Sequence, residues 1–235
     1  MKLFHYDSKL MQTLMFIGDL MILNVLYLIC CLPVFTIGAA QAGLFTAVRV
    51  LNNPEDDSSA AAAFFKGFRS GFGKVTLGWG LVALLSVIMA VTWYFCKLLE
   101  VGDLQMAPTW MAAVAFCITA LFHPLTTLFH SHFDCKPMQL IRNSWFMLVA
   151  HPLRSLAVAA LFWLPFVFFM VDPFTFMSVG MLWLVLYYAV AALFSDLLTR
   201  KPFQVLIENF NENNKPEAVP QTEEIEEPAR ETEEV

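Results

Sequence analysis

Long apolar runs dominate this sequence and limit the folds that are open to it. About 20 consecutive apolar residues are enough for one membrane-spanning helix, and several stretches of the chain reach that length. Hydrophobic residues make up 58% of the chain and charged residues only 14%. Soluble domains are about half apolar and about a quarter charged. The sequence therefore predicts an all-α, polytopic helical membrane protein rather than a cytosolic enzyme.

Six membrane segments are predicted. In chain order they are Leu10–Leu32, Val34–Leu51, Val75–Leu99, Ala107–Phe129, Leu153–Val171 and Phe174–Leu198. The second is ambiguous, because Thr36, Gln41 and Arg49 interrupt its apolar pattern. It either crosses the bilayer or enters it as a re-entrant element that the protein shields from lipid.

The distribution of basic residues favours six crossings. Lysines and arginines precede the first segment, lie between the second and third and between the fourth and fifth, and follow the sixth. The turns near Pro33 and Pro173 contain none. Since short loops rich in Lys and Arg stay in the cytoplasm, both termini and both long loops are predicted to be cytoplasmic. With five crossings, the basic N-terminus would lie outside.

The acidic character of the chain is confined to its C-terminal end. The formal net charge is −6, and residues 211–235 alone contain nine Glu and two basic residues. This stretch has three prolines and no aromatic residue, which is typical of disorder. We therefore predict a helical membrane domain over residues 1–210 and a disordered acidic tail over residues 211–235. The absence of a basic stripe argues against nucleic-acid binding.

A weak internal repeat suggests three helical hairpins, each followed by a helix at the cytoplasmic interface. The triplets Gly43–Phe45, Thr127–Phe129 and Ala192–Phe194 resemble one another at the ends of even-numbered segments. The stretches that follow have helical apolar spacing; they are Ala61–Phe72, Met138–Val149 and Phe203–Phe210. Chance similarity among Leu- and Phe-rich segments is the alternative explanation.

Seven residues in or between the membrane segments are candidates either for a polar pathway or for a family sequence motif: Asp19, Asn24, Pro33, Thr36, Gly38, Gln41 and His123. Polar groups are costly in lipid unless they face other helices or water. The second segment could therefore line a pocket, or its polar residues could only join helices. Asp19 could be buried, or could lie at the interface if its helix starts near Phe16. His123 precedes Pro124, which should loosen the helix.

Other motifs carry less functional information. The run His130–Cys135 contains metal-ligand types, but His130 and His132 lie on different faces of a helix. Gly67 and Gly71 have the spacing that permits close helix packing. No catalytic, cofactor or metal site is predicted, and the chain is expected not to be an enzyme.

The N-terminal third resembles the YesL-like integral membrane proteins. The residues that carry this resemblance are Asn24, the string Cys31–Ala40, Ala42–Leu44 and the aromatic-basic block Phe64–Phe72. The resemblance implies a bacterial plasma-membrane protein, commonly encoded beside genes for sugar uptake and glycan degradation, with no assigned activity. We accordingly expect an accessory or regulatory component of carbohydrate uptake, with the lipid bilayer and sugar-transporter or sensor subunits as partners. The alternative is a small solute carrier or channel with its pathway along the first two segments.

Overall fold

The computed structural model describes residues 9–53, 58–98, 107–133, 136–180 and 183–213, and within these ranges the chain is helical without a strand. The helices are α1 Lys9–Cys31, α2 Ile37–Leu51, α3 Ala60–Lys74, α4 Thr76–Leu98, α5 Ala107–His132, α6 Pro137–Ala150, α7 Pro152–Val171, α8 Pro173–Ser178 and α9 Tyr188–Asn213. A 3₁₀ turn, Val34–Thr36, precedes α2, and a π-helical turn, Trp183–Tyr187, precedes α9. The helices up to Arg200 form one compact unit, and every contact discussed below lies within it.

Five helical stretches among the described residues are long and apolar enough to cross a membrane. They are Lys9–Cys31, Val34–Leu51, Thr76–Leu98, Thr109–His132 and Pro152–Val171. The chain is therefore a membrane protein, and these stretches coincide with the first five predicted segments. The sixth, Phe174–Leu198, is not among them. It consists of α8, the π-helical turn and the start of α9, and it includes residues 181–182, which lie outside the described residues.

The second segment is the most deeply buried of the five. Within Val34–Leu51, 67% of the most apolar window is buried inside the protein, against at most 44% in the other four. A helix that is surrounded by protein does not place its polar side chains in lipid. This position explains how the segment can contain Thr36 and Gln41 within an apolar structure.

Small residues allow α3 to lie directly against α2. A Cβ atom on Gly67 would come within 2.5 Å of Thr46 Oγ1, and one on Gly71 within 2.6 Å of Ala42 Cβ. From the other side, a Cβ on Gly43 would come within 2.7 Å of the Phe64 carbonyl oxygen. The close packing expected from the spacing of Gly67 and Gly71 is confirmed.

The three predicted interfacial stretches have different structures. The first two are separate helices, α3 and α6, and Pro137 occupies the first turn of α6, where its missing N–H costs nothing. The third, Phe203–Phe210, does not form a helix of its own, because α9 continues through Pro202 to Asn213. The threefold plan is therefore not confirmed at its third unit. Residues 214–235, most of the predicted acidic tail, lie outside the described residues.

Candidate functional site

A cavity of about 230 Å³ lies among the helices of the membrane domain. Its wall includes Gln41 of α2 and His123 and Pro124 of α5. Six aromatic side chains complete most of the wall: Tyr27, Trp79, Phe162, Trp163, Phe166 and Tyr188. Cavities for drug-sized ligands usually measure about 300–1,000 Å³, so this aromatic cavity fits a smaller molecule.

The two tryptophans of the aromatic cavity have their indole N–H groups bonded to backbone carbonyls. Trp79 Nε1 donates to the carbonyl oxygen of Val34 at 2.6 Å, and Trp163 Nε1 donates to that of Ala120 at 2.9 Å. The N–H group of a Trp that packs in an apolar environment usually finds such a partner. Each of these hydrogen bonds therefore ties a ring of the cavity wall to the backbone of another segment.

A proline explains the position of Trp163. In α5 the carbonyl of Ala120 would normally accept a hydrogen bond from the residue four positions later, but that residue is Pro124, which has no N–H. The indole of Trp163 supplies the missing donor. Neighbouring helices commonly satisfy the carbonyls that prolines leave free in membrane helices.

The same arrangement occurs in α7. Pro165 lies inside that helix, four residues after Leu161, and therefore leaves the Leu161 carbonyl without its helical donor. The hydroxyl of Tyr187 donates to this carbonyl at 2.7 Å. Tyr187 precedes Tyr188 of the cavity wall, so the π-helical turn is anchored to α7 next to the aromatic cavity.

His123 is buried in the wall with no hydrogen-bond partner among the described residues. His123 is 4% exposed, and neither ring nitrogen, Nδ1 or Nε2, has a hydrogen-bond partner among the described residues. The ring centroid lies 5.4 Å from that of Trp79. Leaving a buried polar group unsatisfied costs about 1–3 kcal/mol, so a ligand able to bond this imidazole would recover that free energy. Gln41, 3% exposed, supplies an amide to the same wall.

The other predicted pathway residues have structural contacts. The side-chain oxygen of Asn24 accepts a hydrogen bond from the Ala189 backbone N–H at 3.1 Å and joins α1 to α9. The Thr36 hydroxyl is 2.5 Å from the carbonyl oxygen of Cys30 and 2.6 Å from that of Pro33, within the turn between α1 and α2. A Cβ on Gly38 would lie 3.0 Å from Trp79 Cβ, so the absence of a side chain at Gly38 leaves room for Trp79 of the cavity wall.

Asp19 lies apart from the cavity. It is partly exposed, ten residues beyond the start of α1 at Lys9. The helix does not begin near Phe16, so Asp19 is not in its first turn, where the helix dipole would stabilise it. Of the seven predicted residues, the structure brings Gln41 and His123 together at the aromatic cavity, and Thr36 and Gly38 lie where α2 begins.

The histidines at the end of α5 have separate partners. His130 Nε2 lies 3.1 Å from the Ser70 hydroxyl, whereas His132 Nε2 lies 3.1 Å from a carboxylate oxygen of Asp196. This difference agrees with the prediction that they lie on different helix faces. Asp134 and Cys135 lie outside the described residues, which contain no group of three or more His, Cys, Asp or Glu that could hold a metal ion.

Comparison with known protein families matches part of the chain to a family model. Residues 20–93 match the family model described as "Protein of unknown function, DUF624". This is the family to which YesL-like proteins belong, so the match supports the resemblance over α1 to α4, less than a third of the chain. No curated protein and no solved structure matches the chain. His123 and Trp163 lie beyond the matched residues, whereas Gln41 and Trp79 lie within them.

Proposed function

We propose that this protein binds a small hydroxylated ring compound, a sugar, in the aromatic cavity, and that it acts without catalysis as an accessory or regulatory component of carbohydrate uptake. The observation that carries the proposal is that one cavity wall contains Gln41, six aromatic rings and the imidazole of His123, which has no hydrogen-bond partner among the described residues. The family resemblance supplies the link to carbohydrate.

The wall of the cavity suits a sugar in two respects. A sugar ring has apolar C–H faces, and flat aromatic side chains are the protein surfaces that cover such faces. Its hydroxyl groups both donate and accept hydrogen bonds, as do the Gln amide and the neutral imidazole. A few polar groups in an apolar wall are what orients a ligand in a small-molecule site.

The proposal includes a topology. We place the protein in a bacterial plasma membrane with six crossings and both termini in the cytoplasm. The length and apolar character of Val34–Leu51 support its crossing. Arg49 at the end of α2, Lys66 of α3 and Arg154 at the start of α7 then lie on the cytoplasmic side, as the positive-inside rule requires.

Transporter or sensor subunits are the proposed partners, and α6 offers them a surface. This helix exposes Met138 (77%), Phe146 (66%) and Val149 (66%). Gentle purification from the native membrane should recover carbohydrate-transporter subunits with the wild type, and fewer with Phe146→Ser. Recovery of the same subunits in equal amounts with wild type and with Phe146→Ser would show that α6 is not the contact surface.

Ligand binding tests the central part of the proposal. The protein in lipid nanodiscs is titrated with monosaccharides by calorimetry, and Gln41→Leu and His123→Phe are compared with wild type. Each variant removes about one hydrogen bond, worth ~0.5–1.5 kcal/mol, so affinity should fall roughly two- to twelvefold. His123→Phe retains a ring beside Trp79. Gln12→Leu makes the same chemical change at an exposed position and should bind like wild type.

A carrier is the second candidate, because Tyr27, Ile37 and Gln41 of the first helical hairpin line the aromatic cavity. In that case, protein in sealed vesicles should transport the sugar that it binds, and Gln41→Leu should slow the flux. Saturable binding without any flux would favour the accessory role.

A further inference from the structure

A second cavity, of about 410 Å³, lies between the ends of two membrane helices and α3. Arg49 from the last turn of α2, Lys66 and Ser70 from α3 and His130 from the last turn of α5 line it. We refer to the cavity that these residues line as the basic pocket. It is separate from the aromatic cavity, with which it shares no lining residue.

The basic pocket is positively charged. Arg49 and Lys66 contribute two cations, and no Asp or Glu is among the described residues that line the pocket. The buried carboxylate of Asp196 is held instead by Asn52 Nδ2 at 3.0 Å and His132 Nε2 at 3.1 Å. Among the described residues of the wall, the two cations therefore have no anionic partner.

Arg49 is the residue that most needs an anion. It is only partly exposed, and one of its N–H groups donates to the Ser131 carbonyl. Among the described residues it has no ion pair. A guanidinium carries five N–H donors in a planar fork that matches the oxygens of a phosphate. A partly buried charge without a partner is costly, and a bound anion would offset that cost.

The fold holds Lys66 beside Arg49. The side chain of Thr46 occupies the space where Gly67 has no Cβ, so α3 lies directly against α2 at this level. Ser70, one turn after Lys66, donates to the Gly67 carbonyl at 3.1 Å and contacts His130. These contacts place polar groups from three helices around one volume.

From this arrangement we infer that the basic pocket binds a phosphate group, either that of an anionic lipid or that of a small soluble phosphate. Arg49 and His130 belong to the last turns of candidate membrane spans, and hence to the depth of lipid headgroups. Basic pockets between membrane helices on the cytoplasmic side bind anionic headgroups. Fork-shaped Arg contacts and a Lys point charge are the usual phosphate ligands.

The test compares wild type with Lys66→Gln, since Lys66 is exposed and its substitution should leave the fold intact. Arg142→Gln is the matched control, because it removes one positive charge from an exposed position of α6 outside the pocket. Arg49→Lys, which keeps the charge but loses the fork, is a second variant. Two probes are used: phosphatidylglycerol against phosphatidylcholine, by native mass spectrometry, and inorganic phosphate against chloride at equal ionic strength, by thermal shift.

We expect at least one phosphate probe to bind to wild type and to Arg142→Gln, and roughly tenfold more weakly to Lys66→Gln. Arg49→Lys should weaken binding as well. Selective binding of phosphatidylglycerol would identify a lipid site, and stabilisation by inorganic phosphate a soluble ligand. Equal binding to Lys66→Gln and Arg142→Gln, or no preference for either phosphate probe over its control, would overturn the proposal. Neither result depends on sugar binding in the aromatic cavity.

Discussion

The indole nitrogen of Trp163 lies 2.9 Å from the carbonyl oxygen of Ala120, which Pro124 leaves without its helical donor. Trp163 and Pro124 both line the aromatic cavity. The carbonyl that the proline leaves free in α5 therefore also positions Trp163 in the cavity wall. His123, immediately before the proline, reaches the same wall.

Trp163→Phe should lower the free energy of unfolding by about 1–3 kcal/mol, because the Ala120 carbonyl is then buried without a donor. The loss should be smaller in the double variant Trp163→Phe/Pro124→Ala, where an alanine N–H in place of the proline restores the helical bond. Denaturation in mixed micelles gives the free energy of unfolding of wild type, of each single variant and of the double variant, which together form a double-mutant cycle. A coupling of about 0.5–3 kcal/mol is expected for groups in direct contact; additive effects would show that the two residues act independently.

Tyr187→Phe tests the corresponding arrangement in α7. Removing the hydroxyl leaves the Leu161 carbonyl without a donor, so stability should fall by about 1–3 kcal/mol. Pro165→Ala in the same chain should recover much of that loss, since the alanine supplies the backbone N–H that proline lacks. The same denaturation experiment reads the effect. An equal loss from Tyr187→Phe with and without Pro165→Ala would contradict the assignment.

Gly43→Ala should destabilise the contact between α2 and α3. Its Cβ would meet the Phe64 carbonyl oxygen at 2.7 Å, and forced repacking of this kind costs about 1–3 kcal/mol. Gly80→Ala is the control, because nothing lies within 4 Å of its added Cβ. Gly80 lies inside α4, where an alanine should raise the free energy of unfolding by about 0.5–1 kcal/mol. The midpoint of thermal unfolding should therefore fall in Gly43→Ala and rise in Gly80→Ala. A shift in the same direction in both variants would show that α2 and α3 do not approach so closely at Gly43.

Asp196→Ala should destabilise the membrane domain, because the carboxylate joins α9 to Asn52 at the end of α2 and to His132 at the end of α5. Both donors would lose their buried acceptor, and a loss of about 1–3 kcal/mol is expected. Asp19→Ala, which removes a carboxylate with partial exposure from α1, should leave stability unchanged or higher. Denaturation of both variants gives the comparison, and equal stability of the two would refute this role for Asp196.

Apolar length and residue spacing were enough to predict the helical class and the first five segments. They also predicted close packing at Gly67 and Gly71, because the two glycines occupy one helix face, but not that α2 is the helix that packs there. The sixth segment, Phe174–Leu198, was not confirmed as a span, because its described residues are divided between α8, the π-helical turn and the start of α9. A separate third interfacial helix was not confirmed, because Pro202 lies inside α9, whereas Pro137 in a similar sequence lies in the first turn of α6.

The cavity was only partly predictable. Gln41 and His123 are recognisable as polar residues at membrane depth, but their meeting depends on how α2 packs against α5. Trp163 and Tyr187 were missed. A signal for them existed: Pro124 and Pro165 each leave a carbonyl four residues earlier that requires a donor, and Trp and Tyr are aromatic residues that carry one. Which aromatic residue supplies the donor is set by tertiary packing, which sequence spacing does not encode.

Calorimetric titration of the protein in nanodiscs with a panel of monosaccharides, alongside Gln41→Leu and Gln12→Leu, tests the central claim most directly. We predict saturable binding of at least one sugar, with unchanged affinity in Gln12→Leu and a roughly two- to twelvefold loss in Gln41→Leu. Absence of saturable heat with every sugar, or equal affinity in the two variants, would contradict the claim that the aromatic cavity is a sugar site.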